Sequence, residues 1–151
     1  LIIDTFNKNG KKLIIATNTD NKLYKKLKNI SKENISWKFA ASREEIQQYY
    51  AEAKGFLFPP EEDFGLVPLE AMASGTPVIA YGKGGALETV LENSTGVFFP
   101  EQSSESLNKT LEKFETMSFD PYVIQKHAQK FDKTVFEEKI LHFITQKIRT
   151  K

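Results

Sequence analysis

The sequence predicts an α/β fold, a parallel sheet with helices on both faces and a helical C-terminal tail. Short continuous apolar runs at Leu13–Ala16, Ile35–Phe39, Phe56–Phe58, Val78–Ala80 and Gly96–Phe99 alternate with segments that carry helix start and stop signals. Strands that read as unbroken apolar runs are those buried on both faces, as in parallel sheets with crossover helices. The 151 residues make one domain, a size that buries roughly 68–70% of the unfolded surface.

The elements follow in order. Leu1–Asn9 closes on Gly10, like the end of a helix rather than the start of a domain, so the chain reads as an excerpt of a longer polypeptide. The run at Leu13–Ala16 is a strand, Asp20–Ile30 is amphipathic, and Ile35–Phe39 is a second strand. Ser42 stands three residues before Glu45, the spacing of a capping box. The helix it starts presents Ile46, Tyr49, Tyr50 and Ala53 as its apolar face and is expected to end at Gly55. In the tail, Ser103 or Ser104 caps a helix carrying Leu107, Leu111 and Phe114, and Asp120 with Pro121 starts another. Asp132 starts a third, with Phe136, Ile140, Phe143 and Ile144. These stripes read as core faces, and no repeats or low-complexity tracts interrupt them.

Bulk properties exclude several classes. No apolar run approaches the roughly 18 residues that span a membrane. The absence of cysteine rules out disulfides and thiolate metal sites, and with no signal peptide visible the expected location is cytoplasmic. A net charge of +1 gives no reason to expect nucleic acid. Lys22, Lys25, Lys26 and Lys28 read first as a solvated helix face, with contact at the inner face of an anionic membrane as the alternative.

Chemistry concentrates in residues 61–80, EEDFGLVPLEAMASGTPVIA. Pro68 suits the first turn of a helix, so the helix is expected to start near Val67, to hold Glu70 in its first turn, and to end at Gly75 before Pro77. Glu62 lies in the preceding loop, and Gly65 lets the backbone approach a ligand closely. Two carboxylates near a helix N-terminus suit a ligand with both phosphate and hydroxyl groups, because free N–H groups take the anion and carboxylates take the hydroxyls. In the alternative reading Glu70 only complements the helix dipole and Glu62 is a solvated loop charge.

The run Glu62 Asp63 Phe64 Gly65 Leu66 Val67 Pro68 Leu69 Glu70, continuing through Gly75 Thr76 Pro77, Gly84 Gly85 and Glu88 to Thr95 Gly96, resembles the C-terminal half of the retaining GT-B glycosyltransferases. That group includes bacterial mannosyl- and glucosyltransferases of polysaccharide synthesis. Residues 81–90 look most like O-antigen mannosyltransferases.

The resemblance implies a Rossmann-like domain that binds a nucleotide diphosphate sugar, GDP-mannose or a UDP-hexose, with no cofactor and no obligatory metal. Glu70 would accept hydrogen bonds from the ribose, and Glu62, the candidate catalytic residue, would contact hydroxyls of the transferred hexose. Backbone N–H groups around Phe64, Gly65, Leu66 and Val67 would face the diphosphate and sugar, and Phe39, Ala40 and Ala41 would lie against the base. Transfer would retain the anomeric configuration, and the acceptor, a glycan or lipid-linked sugar, would bind an N-terminal domain absent here. The family also places an arginine and a lysine after the first strand of this domain. That strand and both residues would lie before Leu1, since Arg43 and Arg149 match neither position, so the excerpt alone is expected not to turn over.

Other features compete. Lys83 in the Gly82–Gly85 turn could approach a phosphate, whereas His127 and His142, on amphipathic helices without a paired carboxylate, read as structural. Gly82 Lys83 Gly84 Gly85 Ala86 Leu87, with Glu101 beyond it, partly mimics the dinucleotide fingerprint of an NAD-dependent oxidoreductase, but Leu87 stands where its third glycine belongs. A non-catalytic nucleotide-sugar binding module is the other alternative.

Overall fold

The computed structural model describes residues 1–149. Its elements alternate as expected: α1 (Ile2–Asn9), β1 (Leu13–Thr17), α2 (Lys22–Asn29), β2 (Ile35–Phe39), α3 (Arg43–Glu52), β3 (Phe56–Phe58), α4 (Leu66–Ala73), β4 (Val78–Tyr81), α5 (Ala86–Thr89), β5 (Gly96–Phe99), α6 (Ser104–Glu115), α7 (Pro121–Ala128) and α8 (Lys133–Arg149). Local chemistry sets most of these bounds. The Asn21 side chain accepts the Tyr24 amide at the start of α2, and Ser42 and Glu45 form the reciprocal capping box of α3. Ser103 caps α6, Asp120 caps α7 with proline in the first turn, and Gly10 ends α1 in the left-handed conformation.

Every strand pair is parallel, but the ladders fall into two sheets, β1-β2 and β3-β4-β5. Leu13 stands opposite Ile35 in the first, and in the second Phe56 pairs with Val78, which pairs with Gly96. β4 lies at the centre of the larger sheet and is buried at every position. On one face Ile79, Tyr81, Val97 and Phe99 pack with Ile3 and Phe6 of α1 and with Leu107, Leu111 and Phe114 of α6. On the other, Val78, Ala80 and Phe58 pack with Leu69 and Met72 of α4 and Ile124 of α7.

Helices therefore cover both faces of β3-β5, as the apolar runs predict. The smaller sheet departs from that pattern. Leu13, Ile15 and Trp37 join the core shared with α1 and α6, with Leu27 of α2 packed beside them, while Ile14 and Ala16 on the opposite face of β1 are exposed.

Three further expectations are corrected. α3 ends at Glu52 with Ala53 as its C-cap, three residues short of Gly55. Gly55 instead gives room to Phe114, whose ring would lie 2.7 Å from an added Cβ. The expected apolar face of α3 is only half-buried at Ile46, Tyr49 and Tyr50, and Ala53 is exposed. The stripe Phe136, Ile140, Phe143 and Ile144 of α8 is not a core face, because each of these residues is exposed. α8 follows a 3-10 turn at Gln129–Phe131 and belongs to neither core cluster.

Candidate functional site

In open parallel α/β sheets ligands bind beyond the carboxyl ends of the strands. The loop from β3 to α4 lies at such an end and carries Glu62, Asp63 and Phe64, all exposed. Gly65 closes the loop as the N-cap of α4 in the left-handed conformation, with φ 77°. An L side chain there would be strained, and its Cβ would press on the Phe58 ring at 3.3 Å. With Gly65 in the cap position, α4 begins at Leu66, one residue before the expected start.

That shift moves both marker residues along the helix. Pro68 is third in α4, where its missing N–H still costs no helical hydrogen bond. Glu70 is fifth, beyond the first turn rather than within it, so it gains little from the helix dipole, whose effect falls off within one turn. The explanation of Glu70 as a dipole complement weakens accordingly, and its exposed carboxylate stays available to a ligand. Leu66 and Val67 are exposed at the helix start, where the first amides of α4 lack helical acceptors.

A second loop fixes the first. The Gly85 amide donates to the Glu62 carbonyl at 2.7 Å. A Cβ on Gly84 would lie 2.5 Å from the Glu62 carbonyl oxygen, and one on Gly85 would lie 2.4 Å from that of Asp63. The two glycines after β4 are thus accounted for by backbone contact with the Glu62–Phe64 loop, without a dinucleotide. On the far side, Phe64 meets the ring of Phe131 edge-on at 6.2 Å. Lys83 is exposed, with its ammonium 5.7 Å from the centre of the Tyr81 ring.

Tyr50 of α3 is a neighbour of Glu70 that sequence reasoning missed as part of the site. Burial, and after it the Glu70 carboxylate, hold the Tyr50 hydroxyl above its ordinary pKa. Its ring meets Phe56 edge-on at 5.4 Å, and its backbone carbonyl accepts the Thr76 hydroxyl at 2.5 Å. α3 is thereby anchored to the turn that follows α4. The signal in the sequence was a tyrosine on the apolar face of the helix before β3, a face that the periodicity marked without pointing to a ligand.

Phe39 is the last residue of β2, and Ala40 and Ala41 follow it. Phe39 is exposed, and its ring lies 6.1 Å from that of Tyr24. Ala40 takes a positive φ of 50° while its amide donates to Thr17 at 3.0 Å, a conformation rare for a residue with a Cβ. Among the described residues no hydrogen bond joins this loop to the Glu62 loop. His127 is buried, with Nε2 2.9 Å from the Thr89 carbonyl, and His142 lies on the exposed α8 beside Gln146.

The family model for glycosyl transferases group 1 matches residues 4–136. The alpha-1,3/1,6-mannosyltransferase ALG2 of Mus musculus is 34% identical over 95 residues, covering 58% of this chain and 22% of the relative. The D-inositol 3-phosphate glycosyltransferase of Streptomyces bingchenggensis is 30% identical over 105 residues, covering 64% of this chain and 22% of the relative. Among solved structures, sucrose-phosphate synthase from Thermosynechococcus elongatus superposes with a TM-score of 0.78 at 21% identity, covering 99% of this chain and 42% of the other. Anabaena HepE in complex with UDP and glucose superposes with a TM-score of 0.73 at 21% identity, covering 96% and 44%. The matched region thus spans about a fifth of these curated relatives and less than half of the solved chains.

Proposed function

This chain belongs to the group 1 glycosyl transferases, and from that premise we propose that it is the donor-binding half of an enzyme that transfers a hexose, namely mannose, with retention of configuration. The donor is a nucleotide diphosphate sugar, and the acceptor is a glycan or lipid-linked sugar of polysaccharide biosynthesis, held by a separate N-terminal domain. The observation that carries this reading is the β3–α4 loop, where Glu62, the free amides of α4 and Glu70 follow one another on a backbone held by Gly84 and Gly85. Similarity to the alpha-1,3/1,6-mannosyltransferases of several eukaryotes supports mannose.

In this mechanism Glu70 accepts hydrogen bonds from the ribose diol, and Glu62 holds hydroxyls of the hexose. Departure of the nucleotide develops negative charge on the diphosphate, where preorganised donors contribute most. The amides at Leu66 and Val67 supply part of that stabilisation. The rest falls to cations outside this chain, so the 151 residues alone bind donor without transferring it.

The same reading assigns a place to the missing cations. Among the described residues β1 pairs only with β2 and β3 only with β4, yet both sheets share the core beneath α1. A parallel strand preceding α1 would pair along the open edges of β1 and β3 and would bring the diphosphate-binding arginine and lysine to its own carboxyl end.

Calorimetric titration with GDP, UDP, GDP-mannose, UDP-glucose and NAD tests the proposal. Binding of a nucleotide diphosphate that Glu70→Ala weakens about tenfold to a hundredfold supports it. Binding of NAD in preference to every nucleotide diphosphate would restore the oxidoreductase alternative.

A further inference from the structure

Charge is strongly segregated along this nearly neutral chain. Residues 1–40 carry nine lysines against three acids, a net of +6, whereas residues 41–151 carry twelve cations against seventeen acids, a net of −5. Within the positive part, residues 18–33 hold five lysines against Asp20 and Glu33, and α2 itself contains no acid. Six of the nine lysines, Lys22, Lys25, Lys26, Lys28, Lys32 and Lys38, lie between the end of β1 and the end of β2.

α2 is amphipathic in an unusual sense. Tyr24 and Leu27 face inward, Tyr24 edge-on to Trp37 at 5.3 Å and Leu27 against the core. Leu23 and Ile30 do not, being 59% and 54% exposed. Lys22, Lys26 and Ile30 recur at intervals of four, and Leu23 and Ile30 are seven apart, so the lysines and the exposed apolar side chains share one side of the helix. Lys25 pairs with Asp20 at 3.4 Å and Lys28 reaches the Tyr24 hydroxyl at 3.3 Å. Lys22 and Lys26 have no partner among the described residues. Leu23 and Ile30 thus lie on the same side of the helix as two ammonium groups that have no protein partner among the described residues.

We propose that this side of α2, formed by Lys22, Leu23, Lys26 and Ile30, is a docking surface for an anionic lipid bilayer. A bilayer offers both complements at once, a negative surface for the lysines and an acyl boundary for Leu23 and Ile30. A nucleic acid would use the charge but not the aliphatic groups. The surface lacks the stacking aromatics and arginines that single strands engage, since Tyr24 is turned to Trp37 and the arginines Arg43 and Arg149 lie on α3 and α8. The proposal is independent of the donor site and stands whether or not the chain binds nucleotide.

Co-sedimentation of the full chain with vesicles tests it, comparing phosphatidylcholine alone with phosphatidylcholine mixed with phosphatidylglycerol. Binding should require the anionic lipid and weaken as salt rises. Lys22→Ala with Lys26→Ala should lower the partition coefficient about tenfold to thirtyfold, taking each lysine near the surface at about 1 kcal/mol. Leu23→Ser with Ile30→Ser should lower it about tenfold or more without changing net charge. Lys126→Ala with Lys130→Ala on the opposite charge half should have little effect, and unchanged thermal melting would show that each variant is folded. No binding to anionic vesicles, an equal loss in the Lys126 and Lys130 variant, or binding to poly(U) RNA that the serine variant leaves untouched would overturn it.

Discussion

The Glu62 carbonyl accepts the Gly85 amide at 2.7 Å, which joins the loop after β3 to the turn after β4 through backbone alone. A Cβ on Gly85 would meet the Asp63 carbonyl at 2.4 Å and the Phe64 Cα at 2.5 Å. Gly85→Ala should therefore push the Glu62 loop outward, destabilising the domain by about 1–3 kcal/mol as overpacking does and weakening donor binding. Gly10→Ala is the control, since Gly10 has a φ of 71° but nothing within 4 Å of its added Cβ. It should cost about 1 kcal/mol and leave donor affinity unchanged. Urea denaturation and calorimetry on both variants separate the two effects.

Glu70→Ala should weaken nucleotide-sugar binding about tenfold to a hundredfold, the range expected for losing a charge-assisted hydrogen bond of about 1.5–3 kcal/mol. Because Glu70 is exposed, stability should change by less than about 0.5 kcal/mol. Unchanged affinity would remove the ribose role.

The same substitution should lower the pKa of the Tyr50 hydroxyl, without restoring its ordinary value because burial is the larger cause of the shift. A phenol with a raised folded-state pKa contributes stability that is intact below its unfolded pKa of about 10 and lost as pH rises through the folded value. Alkaline denaturation monitored by circular dichroism should thus be shallower above that pH in Tyr50→Phe than in the parent chain.

At acid pH the sensitive contact is Asp4, whose carboxylate accepts Lys8 at 2.8 Å and the Ser104 hydroxyl at 2.5 Å. The Lys8 hydrogen bond, then that of Ser104, hold its pKa below the ordinary value. A lowered carboxylate contributes stability that is present above its unfolded pKa and lost as pH falls through the folded one. Asp4→Asn should flatten the decline in melting temperature below about pH 4, and an identical acid limb would show that the α1–α6 contact carries no such linkage.

Leu107→Ala should cost about 2–5 kcal/mol, since Leu107 is wholly buried against the sheet. Phe136→Ser and Phe143→Ser on α8 should each cost less than about 0.5 kcal/mol in this chain, because both side chains are exposed. Chemical denaturation distinguishes the two cases, and a large loss from either α8 variant would mean that the stripe is packed in solution.

Element identity and the position of the Glu62–Glu70 loop and helix after β3 were legible in the amino-acid sequence because they depend on contacts within a few residues. Asn21, Ser42, Ser103 and Asp120 cap helices whatever lies elsewhere in the chain, and the spacing from Glu62 to Glu70 lies within one loop and helix. Tertiary structure alone decided which apolar stripes became core, since the periodicity of α6 and α8 is alike and only α6 meets the sheet. It also decided that the parallel strands form two ladders, because strand pairing is non-local and no short-range signal states which edge stays open. The backbone contact behind Gly84 and Gly85 and the approach of Tyr50 to Glu70 belong to the same class. Each joins residues roughly twenty apart in sequence, and only packing brings them together.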